Sequence, residues 1–346
     1  MVNVGVFGGT GYTGIGLLQF LAGHEKVTLK AVTSEQSAGR RLLEVLPFFE
    51  KYTDDVVLLS REEGMDADID VAFLALPHTV SMETAKPLHD RGVRVVDLSA
   101  DFRLKDAGFY ERVYGVRHTC SELLEKAVYG ICELNRDEIA VASLVAVPGC
   151  FPMSVLLPAY PLLKEGIVES RGIIADCKTG VSGGGRAPKQ PFHYPEVEGG
   201  MSAYGFPVHR HTSEINQELS ACSGEEVKVT FIPHLAPMVR GILASLYMIP
   251  KAGVCEADVR NVYTQYYGNE PFVRIYPELT FPSTKYVNGS NYCDIGFTIR
   301  EDTGLIVAVC AIDNLVKGAS GAAIQCLNVM CGFLESTSLS GCVIFP

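Results

Sequence analysis

Along the first 150 residues, short apolar runs alternate with segments whose apolar positions recur at helical spacing. Val2–Phe7, Val27–Thr33, 71–76 ("VAFLAL") and 93–98 ("VRVVDL") read as buried strands, and "IGLLQFL" within 14–21 opens a first helix. This alternation predicts βαβ units on a parallel sheet, an α/β fold of Rossmann type. From about Gly172 the texture changes to strand-like runs: "GIIADCKTG", "EVKVTFIPHL", "GILASLYMIP", "YCDIGFTIR" and "LIVAVCAI". They predict a second, α+β domain on a mixed or antiparallel sheet. Near the end, "DNLVKGASGAAIQCLNVMCGFL" has helical length and small residues suited to close packing. The expected division is 1–149, completed by a returning helix around 313–333, and 150–312.

Composition narrows the classes. Of 346 residues, 47% are hydrophobic and 20% charged, the balance of a soluble globular protein. A net charge of −11 argues against a nucleic-acid partner, because phosphate backbones need a basic face. A local basic pocket for a small anion is compatible with it. Eleven cysteines without a C-x-x-C pair suit neither a zinc site nor a disulfide framework, so no metal is expected. The N-terminus enters a strand at once, without a signal-like charged region, and no run of about 18 apolar residues appears. The expectation is a cytoplasmic protein without a membrane span.

"GVFGGTGYTGIGLL" sits between the first strand and the first helix. Gly9, Gly11 and Gly14 fit G-x-G-x-x-G, and Gly8, Gly11 and Gly14 fit G-x-x-G-x-x-G equally well. Glycine serves the tight turn, backbone approach to a pyrophosphate and close helix–strand packing, while the helix N-terminus attracts the anion. Gly8, Thr10, Gly11, Tyr12, Thr13 and Gly14 are therefore candidate dinucleotide contacts, which makes 1–149 a dinucleotide-binding domain. The second strand ends in "AVTSEQSAGRR". Thr33 and Ser34 at its tip, with Arg40 and Arg41 beyond, suit a 2′-phosphate and favour NADP(H), whereas Glu35 would favour NAD.

"VPGCFPMS" poses a sharper question, because Cys150 follows a strand and precedes a helix in which Pro152 fits the first turn. A thiol at a helix N-terminus is pushed toward thiolate. Beside a nicotinamide, such a thiolate suggests thioester formation coupled to hydride transfer. That chemistry needs an acid/base, and "GFPVHRHTSEINQEL" offers His209 and His211 just before a helix that Thr212 can cap. The helix end would keep an imidazole neutral.

The ordered series "GGTGYTG", "LPH", "DLSADFRL", "VYGICELNR", "PGCFP", "TGVSGGGR", "HRHTSEI", "PHLAPMVRGI", "VNGSNYCDIG" and "DNLVKGASGAAIQ" resembles the N-acetyl-γ-glutamyl-phosphate reductases nearly end to end. These are NADP-dependent enzymes of arginine biosynthesis related to aspartate-semialdehyde dehydrogenase. The resemblance implies Cys150 as nucleophile, His211 as acid/base and His209 at the substrate. It implies Pro77, Ser182 and Gly183 as cofactor contacts, and Arg103 and Arg186 as ligands of the acyl phosphate, with 182–186 forming a backbone nest. It also implies a homodimer or homotetramer whose partners are the acyl-phosphate substrate and inorganic phosphate. The chain departs from the family pattern at Val147, Phe151 and Met153, where Asn, Tyr and Thr are usual, at Cys132, where Pro is usual, and in "VYGVRH", which lacks the Trp usual near Tyr114. These departures are expected around the acyl pocket. The alternatives are the same chemistry on N-succinyl-glutamyl, aminoadipyl or aspartyl phosphate, or a non-catalytic NADP(H)-sensing protein.

Overall fold

The structure is a computed structural model and describes residues 1–341. The chain divides into two compact units, Met1–Pro148 with Ala319–Gly341, and Gly149–Gly318.

In the first unit, β1 (Val2–Phe7), β2 (Val27–Thr33), β3 (Val71–Leu74), β4 (Arg94–Asp97), β5 (Val128–Tyr129) and β6 (Leu144–Ala146) form one sheet. Its order is β2-β1-β3-β4-β6-β5, and every pairing is parallel. Parallel strands covered on both faces read as apolar runs rather than alternations, and β3 is buried throughout. The order turns back at β1, with β2 on one side and β3 on the other, and ligands of such sheets bind beyond the strand ends at that point.

The helix Gly321–Met330 belongs to this unit. Cys326 Sγ lies 3.7 Å from Cys132 Sγ, and Arg94 Nη1 donates to the Met330 carbonyl at 2.6 Å. The helix expected from residue 313 onward starts at Val316, and its first segment, Val316–Ser320, is a π-turn that runs directly into Gly321–Met330. The wider turn follows from the Gly318 N–H reaching back five residues to the Asp313 carbonyl at 3.0 Å, while the Asp313 carboxylate accepts from Leu315 and Val316.

The second unit carries β7 (Ile174–Thr179), β8 (Ser202–Ala203), β9 (Thr230–Leu235), β10 (Ile242–Met248), β11 (Val273–Ile275), β12 (Cys293–Ile299) and β13 (Ile306–Ile312). Their order is β11-β12-β13-β10-β7-β9-β8. The β7–β9 and β11–β12 pairs are parallel and the others antiparallel, so the sheet is mixed. On β10, Ile242, Ala244, Leu246 and Met248 are buried and the residues between them half-buried, the alternation of a sheet packed hard on one face.

The helix Cys150–Lys164 is buried along most of its length despite Pro158 and Pro161 in its interior. A helix-interior proline cannot donate to the carbonyl four residues back. The Leu157 carbonyl orphaned by Pro161 instead accepts the Tyr267 hydroxyl at 2.6 Å, and Tyr263 donates to the Pro158 carbonyl at 2.7 Å. Both tyrosines lie on the helix Glu256–Tyr267. Among the described residues no helix is long and apolar enough to cross a membrane.

Candidate active site

The glycine turn of the first unit needs glycine at Gly8 and at Gly9, so both spacings read from the sequence are used. Gly8 has φ +86°, and a Cβ there would lie 2.4 Å from the Ala75 carbonyl oxygen. A Cβ at Gly14 would meet the Gly8 oxygen at 2.2 Å, and one at Gly9 would meet Val32 at 2.3 Å. Gly11 is sterically relaxed, its nearest neighbour lying at 3.6 Å, and it serves as N-cap of the helix Tyr12–Ala22 without a capping side chain. The amides of that first turn thus meet a cradle that only glycine backbone leaves open, which fits a pyrophosphate.

Thr10 Oγ1 bonds Ser34 Oγ at 2.8 Å, tying the turn to the tip of β2, and Ser34 is buried. Glu35 does not stand ready for a ribose: its Oε1 accepts the Arg61 amide at 2.7 Å. Arg41 is spent on Asp55 by an ion pair and a second bond to the Asp55 carbonyl at 2.8 Å. Among the described residues, the Arg40 guanidinium pairs with Glu44 in an exposed 3.7 Å contact of the kind worth little, which leaves it able to meet an anion. Pro77 is exposed in the turn after β3, where Thr79 adopts φ +75° and its amide donates to Asp101.

In the second unit, half-buried Cys150 is the first residue of its helix, with Gly149 as N-cap. Two glycines press neighbours against it. A Cβ at Gly149 would lie 2.4 Å from His211 Nε2, and a Cβ at Gly318 would lie 2.7 Å from the Cys150 Cβ. The start of the Cys150 helix thus packs against Gly318 on one side, while His211 presses on Gly149 beside it. Buried Glu214, one turn beyond His211, accepts the Gly149 amide at 2.9 Å and locks the two helix starts together.

His209, not Thr212, is the N-cap of the helix Arg210–Ser223: its Nδ1 accepts the His211 amide at 3.1 Å. Burial first, and Arg210 second, lower its pKa to about 4, so desolvation rather than the helix end keeps the ring neutral. With Nδ1 accepting, the neutral ring carries its proton on Nε2 and is a donor there. His209 and His211 stand 4.9 Å apart between centroids. Phe151 meets both edge-on, at 5.8 and 5.9 Å, and Tyr204 packs on His209 at 5.6 Å. Burial, with Cys150 nearby, raises the Tyr204 hydroxyl pKa, so it stays protonated.

Among the departures from the family pattern, Phe151 meets both imidazoles and the Met153 amide donates to the Gly149 carbonyl at 3.0 Å. Val147, Phe151 and Met153 are buried, as is Cys132. Ser182 is buried, with its Oγ accepting from Asn314 Nδ2 at 3.0 Å, and Gly183 is exposed beside it. The expected nest is already partly used, since the Ser182 amide donates to Val239 and the Gly185 amide to Ser182. Arg186 is exposed on the following segment. Arg103, in the first unit, is 5% exposed and donates from Nε to Val147 at 2.8 Å and from Nη2 to Leu98 at 2.9 Å. These two bonds use two of the five guanidinium donors.

Glu214, Gly149 and Gly318 are the participants that sequence reasoning did not single out. Their visible trace was a Glu three residues after His211, the Pro-Gly before the cysteine, and a glycine within "VKGAS".

Residues 3–142 match the family profile described as semialdehyde dehydrogenase, NAD binding domain, and 150–314 the one described as semialdehyde dehydrogenase, dimerisation domain. The chain is 49% identical over 348 residues to an N-acetyl-γ-glutamyl-phosphate reductase of Geotalea daltonii, and 47% over 347 residues to one of Citrifermentans bemidjiense, with 100% of both chains covered in each case. Among solved structures it resembles aspartate semialdehyde dehydrogenase II of Vibrio cholerae, with TM-score 0.73 at 17% identity over 96% of this chain and 99% of that one. It also resembles the Candida albicans aspartate semialdehyde dehydrogenase solved with NADP, with TM-score 0.67 at 15% identity over 96% and 98%.

Proposed function

We propose that this chain, which belongs to the semialdehyde dehydrogenase family, reduces N-acetyl-γ-glutamyl phosphate with NADPH to N-acetylglutamate 5-semialdehyde and phosphate, a step of arginine biosynthesis. The observation that carries the reading is the Cys150 thiol at a helix start with His211 Nε2 against the adjoining Gly149.

His211 takes the thiol proton, sulfur bonds the acyl carbon, and the bond from that carbon to the phosphate oxygen breaks. His211 passes its proton to the departing phosphate. Bound NADPH supplies the hydride that reduces the thioester carbon. The carbon–sulfur bond then breaks, the semialdehyde departs, and Cys150 regains a proton from solvent through His211. The first-turn amides of Cys150 and Phe151 face the developing oxyanion, since Gly149 brings no capping side chain and Pro152 has no N–H. His209 donates from Nε2 to the substrate; a ring whose Nδ1 is engaged cannot also accept the thiol proton.

Gly8, Thr10, Gly11, Tyr12, Thr13 and Gly14 would hold the cofactor's pyrophosphate, with Pro77, Ser182 and Gly183 as further contacts. Ser34 and Arg40 would receive the 2′-phosphate, and the diversion of Glu35 to Arg61 supports NADP over NAD. The chain works in the cytoplasm as a homodimer or homotetramer, a reading supported by the matched dimerisation domain.

The test runs the reaction backward with phosphate, NADP and a panel of N-acetyl- and N-succinyl-glutamate, aminoadipate and aspartate semialdehydes, following NADPH absorbance. N-acetylglutamate semialdehyde with NADP should give the highest kcat/KM. A preference for another semialdehyde would reassign the substrate. NADP binding without turnover on any of them would leave a nucleotide sensor.

A further inference from the structure

An acidic chain that handles an acyl phosphate needs cations at its substrate, and Arg103 already gives two of its donors to backbone carbonyls. We propose that Arg240 binds an anionic group of the acyl-phosphate substrate, an inference that rests on the function proposed above.

Arg240 lies in the connection between β9 and β10, in the stretch "PMVRG". That connection is pinned on two sides. The Val181 and Ser182 amides donate to the Met238 and Val239 carbonyls, and the Gly241 amide donates to Asn314 Oδ1 at 2.8 Å. A Cβ at Gly180 would strike the Val239 carbonyl oxygen at 2.6 Å, so the turn after β7 is pressed onto it. The arginine is thus carried on fixed backbone beside Ser182 and Asn314.

Its own anchoring is slight. Among the described residues its guanidinium meets one carboxylate, that of Asp313, by a single contact at 3.4 Å. Charge-assisted bonds run shorter, at roughly 2.7–2.9 Å. Asp313 is fully buried and already accepts backbone amides from Leu315 and Gly289, each at 2.8 Å, and from Val316 at 3.2 Å. The carboxylate therefore steers Arg240 without consuming its fork of donors, and the side chain remains 37% exposed. Asp313 also connects this cation to the nucleophile. Its carbonyl accepts the Gly318 amide at 3.0 Å, and Gly318 is the glycine packed on the Cys150 Cβ. The residue that orients the guanidinium thus also shapes the backbone behind the thiol.

The substrate offers two anions of matching chemistry, its phosphoryl group and its α-carboxylate. Arg240→Gln and the conservative Arg240→Lys are compared with wild type in the reverse reaction, varying phosphate and N-acetylglutamate semialdehyde separately. Loss of a charged hydrogen bond should raise one KM about 10- to 100-fold in Arg240→Gln, with Arg240→Lys restoring part of it and a smaller change in kcat. A raised phosphate KM identifies the phosphoryl group, and a raised semialdehyde KM the carboxylate. Wild-type values of both in a folded Arg240→Gln protein would overturn the inference and leave the proposed function intact. A wild-type protein inactive on this substrate pair would sink both.

Discussion

The distances around Gly149 make it as consequential as the cysteine it precedes. Gly149→Ala would place a methyl group 2.4 Å from His211 Nε2, and a ring wedged by rigid backbone must turn away. Displacing a general base costs about 10²–10⁴-fold in rate. Gly149→Ala should therefore lower kcat on that scale while NADP affinity stays unchanged, which steady-state kinetics with a nucleotide titration would check. His209 gives a second prediction at this scale. Its pKa is about 4 in the folded chain, against about 6.5 for an unhindered imidazole. The unfolded chain therefore takes up this proton first as pH falls. The stabilisation is complete above about pH 6.5 and is lost on the way down to pH 4. His209→Asn keeps a side-chain acceptor for the His211 amide but cannot titrate, so its stability should fall less over that window in urea denaturation. Parallel curves would mean that His209 does not titrate in this way. At single residues the sequence was only partly legible. Cys150 announced itself through local setting, because Pro-Gly before it and Pro after it mark a helix start. Glu214 did not, since its partner amide lies 65 residues away. The carbonyl partners of Arg103 were equally invisible, because tertiary structure chooses them.

At the level of elements, periodicity served well wherever a strand had five or more residues. β1 and β2 have the expected ends, and the five runs of the second sheet all became strands. The two-residue strands β5 and β8 were too short to leave a pattern. The helix expected from residue 313 begins at Val316 with a π-turn, because hydrophobic spacing does not report the Asp313 hydrogen bonds that widen it. The prolines of the Cys150 helix carry a prediction here. Tyr267→Phe would leave the buried Leu157 carbonyl without the hydroxyl that replaces the bond lost to Pro161. Such an unpaired group costs about 1–3 kcal/mol. Chemical denaturation should show a loss of that size, with KM for NADP unaltered. An unchanged midpoint would mean that the helix satisfies this carbonyl by other means.

Over the whole molecule, the glycine cradle lies in the unit of the parallel sheet, and the thiol and two histidines stand at helix starts in the unit of the mixed sheet. The proposed function gives the first unit the dinucleotide and the second the acyl group on sulfur. With a net charge of −11, the anion contacts proposed above fall to a few placed groups: helix-end amides, Arg40 and Arg240. The division of labour predicts that losing the thiol should spare nucleotide binding. The measurement is phosphate-dependent reduction of NADP by N-acetylglutamate semialdehyde, with wild type and Cys150→Ala side by side and NADP affinity measured on both. The account predicts turnover that requires phosphate in wild type, none in Cys150→Ala, and equal NADP affinity in the two. Comparable turnover in Cys150→Ala would contradict covalent catalysis at this cysteine.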